Sequence, residues 1–150
     1  MENKVNVHVK KLNEDAFIPE YATEGSVGFD LISTGDYYLE PGKTVLIATG
    51  LSVAIPAGYE IQVRPRSGAS ARTMLRVANA PGTIDSDYRG EIKVILTNTG
   101  ITPELISKGD KVAQGVLCRV PKAEFVQVEE LDVTARGEGG FGSTGKNTNK

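Results

Sequence analysis

Three stretches of this sequence carry residue types that suit phosphate and water chemistry. In RPRSGAS, residues 64 to 70 follow Val63 with Arg-Pro and then Arg66-Ser67-Gly68. An arginine there can give two parallel hydrogen bonds to a phosphate. Ser67 adds a hydroxyl donor, and Gly68 lets backbone N–H groups come close to an anion, most of all if a helix starts there. In NAPGTIDSDYRGE, residues 79 to 91, Asp85 and Asp87 stand two apart. On a strand they would share one face, and two nearby carboxylates can hold a metal or a water, or act as acid and base. The third stretch is RGEGGFGSTG, residues 136 to 145, where five of the nine residues 137 to 145 are glycine and Phe141 is the sole apolar side chain. A free exposed Phe stabilises nothing, so it calls for a partner surface or a ring to stack on. Ser143 and Thr144, flanked by Gly142 and Gly145, offer hydroxyl and backbone donors suited to phosphate. Taken singly, each stretch has a plain alternative: a polar turn after a strand, a hairpin with solvated aspartates, and a low-complexity tail. The tail is not a P-loop, because the Gly-Lys-Ser/Thr ending is missing and no buried strand leads into it.

The elements that must position these stretches are strands. Val5, Val7 and Val9 alternate with Asn6, His8 and Lys10, the period of a half-buried strand. YYLE-PG-KTVLIA reads as strand, Pro-Gly turn, strand, and LSVAIPAGYEIQVRP continues with a turn at Pro56 to Gly58. EIKVILTNTG is a strand ending in turn residues, KVAQGVLCRV is apolar on both parities, and AEFVQVEEL alternates again. The best helical candidate is a short piece from Ser67 to Leu75. Many short strands with regular Pro and Gly turns predict an all-β sandwich, jelly roll or barrel. From Arg136 the composition changes, and a Gly-rich run loses much backbone entropy if ordered. The sequence therefore divides into a β domain over 1–135 and a flexible arm over 136–150, with no internal repeat.

The chain has 150 residues, 39% of them hydrophobic, and a formal net charge of -2. That length suits one domain, and a modest core in a Gly-rich chain invites an oligomer interface. No basic stripe is present, which argues against tight nonspecific nucleic-acid binding. The single cysteine, Cys118, can form neither an intrachain disulfide nor a zinc cluster. MENKVNVHVK is not a signal peptide, and no apolar run nears the roughly 18 residues of a membrane helix. These features predict a soluble, cytoplasmic protein. His8, Cys118 and the Glu129-Glu130 pair read as an exposed strand residue, a small buried hydrophobe and a solvated edge.

Taken in order, five segments resemble the motifs of the trimeric dUTPase family. They are SVGFDL (26–31), PRSGAS (65–70), GTIDSDYRGE (82–91), KVAQ (111–114) and RGEGGFGSTG (136–145). The resemblance implies a distorted jelly-roll or β-clip-type barrel, assembled as a homotrimer whose active sites each use parts of all three chains. It implies hydrolysis of dUTP to dUMP and pyrophosphate. Asn79 and the backbone around Thr83, Ile84 and Lys93 would receive uracil, and Tyr88 would pack under the deoxyribose. Such a pocket would exclude the thymine methyl and mismatch cytosine, because a site built to hydrogen-bond one edge leaves its polar groups unpaired with another. Arg66, Ser67, Gly68 and Gln114 would hold phosphates. Arg136, Gly142, Ser143 and Thr144 would close over them, and Phe141 would stack on uracil. Asp85 would activate the attacking water as general base. Mg2+ would bind mainly to the triphosphate, with Asp30 near it through a water.

Two departures from the family pattern stand out. Ala69 and Ser70 occupy positions where Leu and Ala are frequent, which touches packing behind the phosphate loop. Lys111 replaces a frequent Arg, keeping the charge and losing the planar fork, so altered ion pairing is expected there. A dCTP deaminase would share the fold, but the GTIDSDYRG and GGFGSTG segments argue against one. A binding or regulatory relative that has kept the fold is a different class, and complete motifs argue against loss of activity. The arm predicts that deleting residues 136–150 leaves the assembly intact by size-exclusion chromatography and removes most dUTP turnover; a truncated protein with full activity would refute it.

Overall fold

In the computed structural model, residues 4–146 are described, and Met1–Asn3 and the last four residues of the expected arm lie outside them. Ten strands and one short helix follow each other among the described residues. Two four-stranded antiparallel sheets carry the fold. One has the order β1 (His8–Lys11), β4 (Thr44–Ala54), β8 (Glu91–Asn98), β6 (Leu75–Val77). The other has the order β2 (Phe29–Ile32), β10 (Lys111–Arg119), β5 (Tyr59–Arg64), β7 (Gly82–Ile84). A small third sheet pairs β3 (Tyr37–Leu39) with β9 (Glu104–Ile106). The nearly all-β reading therefore holds, but the sheets do not close into a barrel.

The core follows from period two. Along β8 every second side chain is buried, with Ile92, Val94 and Leu96 inward and Lys93 outward. Leu31, Leu39, Ile47 and Val94 have no exposed surface at all. In β10 residues of both parities are buried, including Val112, Ala113 and Val116; the strand is central in its sheet, and a bulge between Lys111 and Ala113 shifts its register. The helical candidate is a six-residue helix, α1 (Ser67–Arg72), closed by Thr73, whose N–H and hydroxyl both donate to the Ala69 carbonyl.

Among the described residues four polar ones are buried, Ser33, Thr49, Ser52 and Asn98, and the last bridges the most distant segments. Asn98 is fully buried, and its amide donates to the carbonyls of Leu39 (2.9 Å) and Thr102 (2.8 Å) while its oxygen accepts from Gly100 N–H at 2.9 Å. It thus ties the end of β8 to β3 and to the turn that leads to β9.

Further expectations differ from the structure. AEFVQVEEL forms no strand: everything from Pro121 to Glu138 is exposed, including Phe125 and Leu131. The alternation is present, but among the described residues the segment pairs with no strand. Asp85 and Asp87 do not share a strand face either, since β7 ends at Ile84 and Asp85 opens a turn closed by Tyr88 N–H donating to its carbonyl. His8 and the Glu129-Glu130 pair are exposed, while Cys118 is only half-buried, beside Arg64.

Replacing Asn98 by Ala strands two carbonyls and one N–H in the core, a cost on the order of 3 kcal/mol. Asn98→Ala should lower the urea midpoint by about 1–3 M at an ordinary m-value, and an unchanged midpoint would show that the network adds nothing.

Candidate active site

The KVAQ segment starts β10, and register puts its Gln114 between Asp30 of β2 and Arg64 of β5. Cross-strand partners share a face, so Asp30 and Gln114 point into one basin at the end of this sheet. Arg66, Ser67, Gly28, Ser26 and Lys111 complete its lining. Both oxygens of Asp30 are engaged: Arg66 Nε lies 2.8 Å from Oδ1, and Lys111 Nζ lies 2.8 Å from Oδ2. Spending Nε on Asp30 fixes the guanidinium plane and leaves the terminal nitrogens for an anion. Two cations against one carboxylate leave the basin positive. The Lys111 departure is thereby explained, because an ammonium serves as a point-charge partner to Asp30 without a planar fork. The six-residue α1 is too short to add much by its dipole, so the charge here comes from side chains.

Gln114 is locked by two contacts. Its Nε2 donates to the Pro65 carbonyl at 2.9 Å, and its Oε1 occupies the space that any Cβ at position 28 would need. Gly28 is therefore the residue of SVGFDL that lets Gln114 reach the loop before Arg66.

The second part of the site lies between β7 and β8. These strands are joined by the turn after Ile84 yet belong to different sheets, β7 pairing with β5 and β8 with β4 and β6. The Ile95 carbonyl accepts from Ala78 N–H, on the side of β8 away from β4. In an antiparallel strand the groups of residue i and i+2 face the same way, so Lys93 turns its N–H and C=O toward the β7 side, where no strand pairs with it. Asn79 lies at the other wall, its amide nitrogen 3.2 Å from the point a Cβ on Gly82 would take. Ile84 is buried, so only its backbone is available to this slot, while Thr83 and Asp85 are exposed beside it. Among the described residues the Asp85 carboxylate has no hydrogen-bond or ion-pair partner, which leaves it free to hold a water. The Tyr88 ring covers Gly90, whose missing Cβ makes the room, and its hydroxyl donates to the Glu91 carbonyl at 3.0 Å.

The third part is the tail, whose described residues make no hydrogen bond or ion pair with either of the others. Residues 134–145 form local turns, with Gly137 N–H donating to Thr134, Ser143 N–H to Gly140, and Gly145 N–H to Gly142. Arg136 Nε donates to the Gly139 carbonyl, and Phe141 is fully exposed at a φ of 51°. Within one chain the basin, the slot and the tail are separate. The sequence reading overlooked Glu91 together with Thr49, Gly50 and Ser52 of β4, which grip the base of the slot. The one available signal was a glycine inside an apolar strand, which often marks a bulge.

No group of three or more His, Cys, Asp or Glu among the described residues could cage a metal. With both Asp30 oxygens already paired, a divalent ion fits here only as a companion of a phosphate ligand. No helix of the described residues is long and apolar enough to cross a membrane.

Fold and basin define an all-β protein built to take an anionic ligand beside a slot of unpaired backbone groups. The dUTPase family model matches residues 14–145, and the chain belongs to that family. It is 51% identical over 142 residues to the deoxyuridine 5'-triphosphate nucleotidohydrolase of Nautilia profundicola, covering 95% of this chain and all of that one. The Helicobacter pylori (strain J99) enzyme of the same name is 46% identical over 141 residues, 94% of this chain and 97% of its own. Among solved structures, the Staphylococcus bacteriophage 80alpha dUTPase with dUPNHPP superposes with a TM-score of 0.89 at 30% identity, covering 95% of this chain and all of that one. A variant dUTPase of S. aureus phage phi11, described for its coordination of a structural Mg(II) ion, gives 0.81 at 28% identity over 86% of this chain and all of its own.

A side chain at position 28 must displace Gln114. Gly28→Ala should weaken pyrophosphate binding in titration calorimetry about fivefold, the worth of one hydrogen bond; unchanged affinity would exclude Gln114 from the anion site.

Proposed function

We propose that this chain is a dUTP diphosphatase that works as a homotrimer, each site combining the slot, the basin and the tail of different copies. The observation that carries the reading is the splayed β7–β8 pair, which leaves a base-sized run of backbone donors and acceptors open beside a free carboxylate. Uracil enters this slot against the Lys93 backbone, Asn79 and the backbone of Thr83 and Ile84. A 5-methyl group meets the slot wall, and the cytosine edge offers a donor where a carbonyl is needed. Tyr88, fixed over Gly90, lies under the deoxyribose and leaves no room for a 2′-hydroxyl.

The triphosphate runs to a basin formed by Arg66, Ser67, Gly68 and Gln114, where the terminal nitrogens of Arg66 meet its oxygens. Asp85 accepts a proton from a water as that water's oxygen bonds to the α-phosphorus. The bond from the α-phosphorus to the bridging oxygen breaks, and pyrophosphate leaves with the electron pair. Arg66 compensates the charge that develops on it. Asp30 would hold Mg2+ near the phosphates through a water, and the ion would supply charge neutralisation and favour one conformer of the triphosphate. Arg136, Gly142, Ser143 and Thr144 close over the outer phosphates, and Phe141 stacks on the base. The tail's lack of contact with its own basin, and the bare apolar residues from Phe125 to Val133, support its use by a neighbouring copy. Cytoplasmic residence suits the single free thiol, and neither nucleic acid nor membrane is a partner in this scheme.

The test is pyrophosphate release from dUTP, dTTP, dCTP and UTP, with and without Mg2+. Release from dUTP alone, stimulated by Mg2+, is expected, and ammonia from dCTP should be absent. Asp85→Asn should lower turnover at least about a hundredfold, the usual weight of a general base, while dUTP still binds. Near-normal turnover would remove Asp85 from that role.

A further inference from the structure

The ladder between β4 and β8 is broken opposite the slot. Pairing runs evenly from Thr44↔Thr97 to Ala48↔Lys93 and resumes at Ser52↔Glu91. Three residues of β4, Thr49, Gly50 and Leu51, thus face the single residue Ile92. A bulge of this size disconnects backbone groups that need partners, and side chains supply them. Buried Thr49 donates its hydroxyl to the Ile92 carbonyl at 2.6 Å. Ser52 donates its hydroxyl to the Arg89 carbonyl, also at 2.6 Å. Glu91 Oε1 accepts from Gly50 N–H at 2.9 Å, while Glu91 Oε2 lies 3.8 Å from Lys93 Nζ.

Gly50 cannot be replaced simply. Its φ is +68°, and a Cβ would lie 2.9 Å from the Ala16 Cβ and from the Asn13 amide. Its carbonyl accepts from Leu12 N–H at 2.7 Å. The bulge is therefore anchored to the body of the protein on one side. On the other it holds Arg89, Glu91 and Ile92, the residues that lead into Lys93 and carry the Tyr88 hydroxyl on the Glu91 carbonyl. None of these three side-chain bonds belongs to the ladder, yet all bear on the wall of the slot.

We propose that Thr49, Ser52 and Glu91 are positioning residues that set the width of the β7–β8 slot, and through it the discrimination between a pyrimidine with and without a 5-methyl group. This rests on the reading of that slot as the base pocket. A wall free to shift by a fraction of an ångström can admit a methyl without losing its hydrogen bonds to the shared edge. Selectivity should then fall before turnover does.

The experiment is steady-state hydrolysis of dUTP and dTTP by the full-length protein and by Thr49→Val, Ser52→Ala, Glu91→Ala and Glu91→Gln. Glu91→Gln keeps the acceptor for Gly50 N–H and should keep the native ratio of kcat/KM values. For the other three the dUTP preference should drop at least about tenfold, the scale of one methyl group in a tight pocket. KM for dUTP should rise and kcat should stay within about twofold. Folded variants, judged by thermal melting, that keep the native ratio would overturn the proposal. So would an equal loss of kcat on both substrates with KM unchanged, which is what general destabilisation of the site produces. Should Thr49→Val fail to fold, the Glu91→Ala and Glu91→Gln pair decides by itself. Absence of dUTP hydrolysis in the unaltered protein would instead refute the assigned function, a result distinct from an unchanged ratio in active variants.

Discussion

Buried backbone groups must find partners, and the organisation of this protein turns on one place where two neighbouring strands decline to supply them to each other. β7 and β8 are consecutive and antiparallel in sense, so a hairpin is the expected outcome. Instead β7 pairs with β5 and β8 with β4 and β6, and the groups left between them are open to a ligand. Every other feature of the site accommodates this split. Gly82 sits against Val63, where a Cβ would come within 3.1 Å, drawing β7 onto β5. The break in β4 pulls the start of β8 the other way.

The basin obeys a different constraint, that of charge. Asp30 is a carboxylate in a place meant for anions, and it is tolerated because Arg66 and Lys111 both lie 2.8 Å away. Its role is to orient. A guanidinium on a loop after Pro65 has many rotamers, and an ion pair through Nε selects those in which the terminal nitrogens face outward. Such partly exposed pairs contribute little to stability, but they reduce the ordering that a ligand must otherwise impose. Slot and basin thus share a strategy: each is held by contacts made before any ligand arrives.

Much of this was legible in the residues. The alternation in β8 and the two-sided apolar character of β10 gave their burial directly, and RPRSGAS announced a strand running into a short helix. Arg66 and Ser67 of the basin were legible by residue type, while Asp30 and Gln114 entered only through the family resemblance. What sequence could not carry was pairing. Periodicity assigns a face to each residue but no partner to a strand, so the alternation in AEFVQVEEL predicted a strand where the described residues show no pairing. The two aspartates misled for a related reason: Asp85 and Asp87 are spaced for a strand, but the strand stops at Ile84. Thr49, Ser52 and Glu91 stayed invisible because an interior hydroxyl or carboxylate shows its purpose only when the unpaired group opposite it is seen. Gly50, an unexplained glycine within TVLIATGLSVA, was the clue.

Gly28 and Gln114 are 86 positions apart in the chain and occupy the same few cubic ångströms, one by lacking an atom the other requires. A residue with a Cβ at position 28 turns the far end of Gln114 aside, and with it the hold on the loop before Arg66. The dependence runs one way: position 114 can shorten while position 28 stays glycine, but a Cβ at position 28 always costs the long side chain at 114 its place, so that the order in which the two sites change matters.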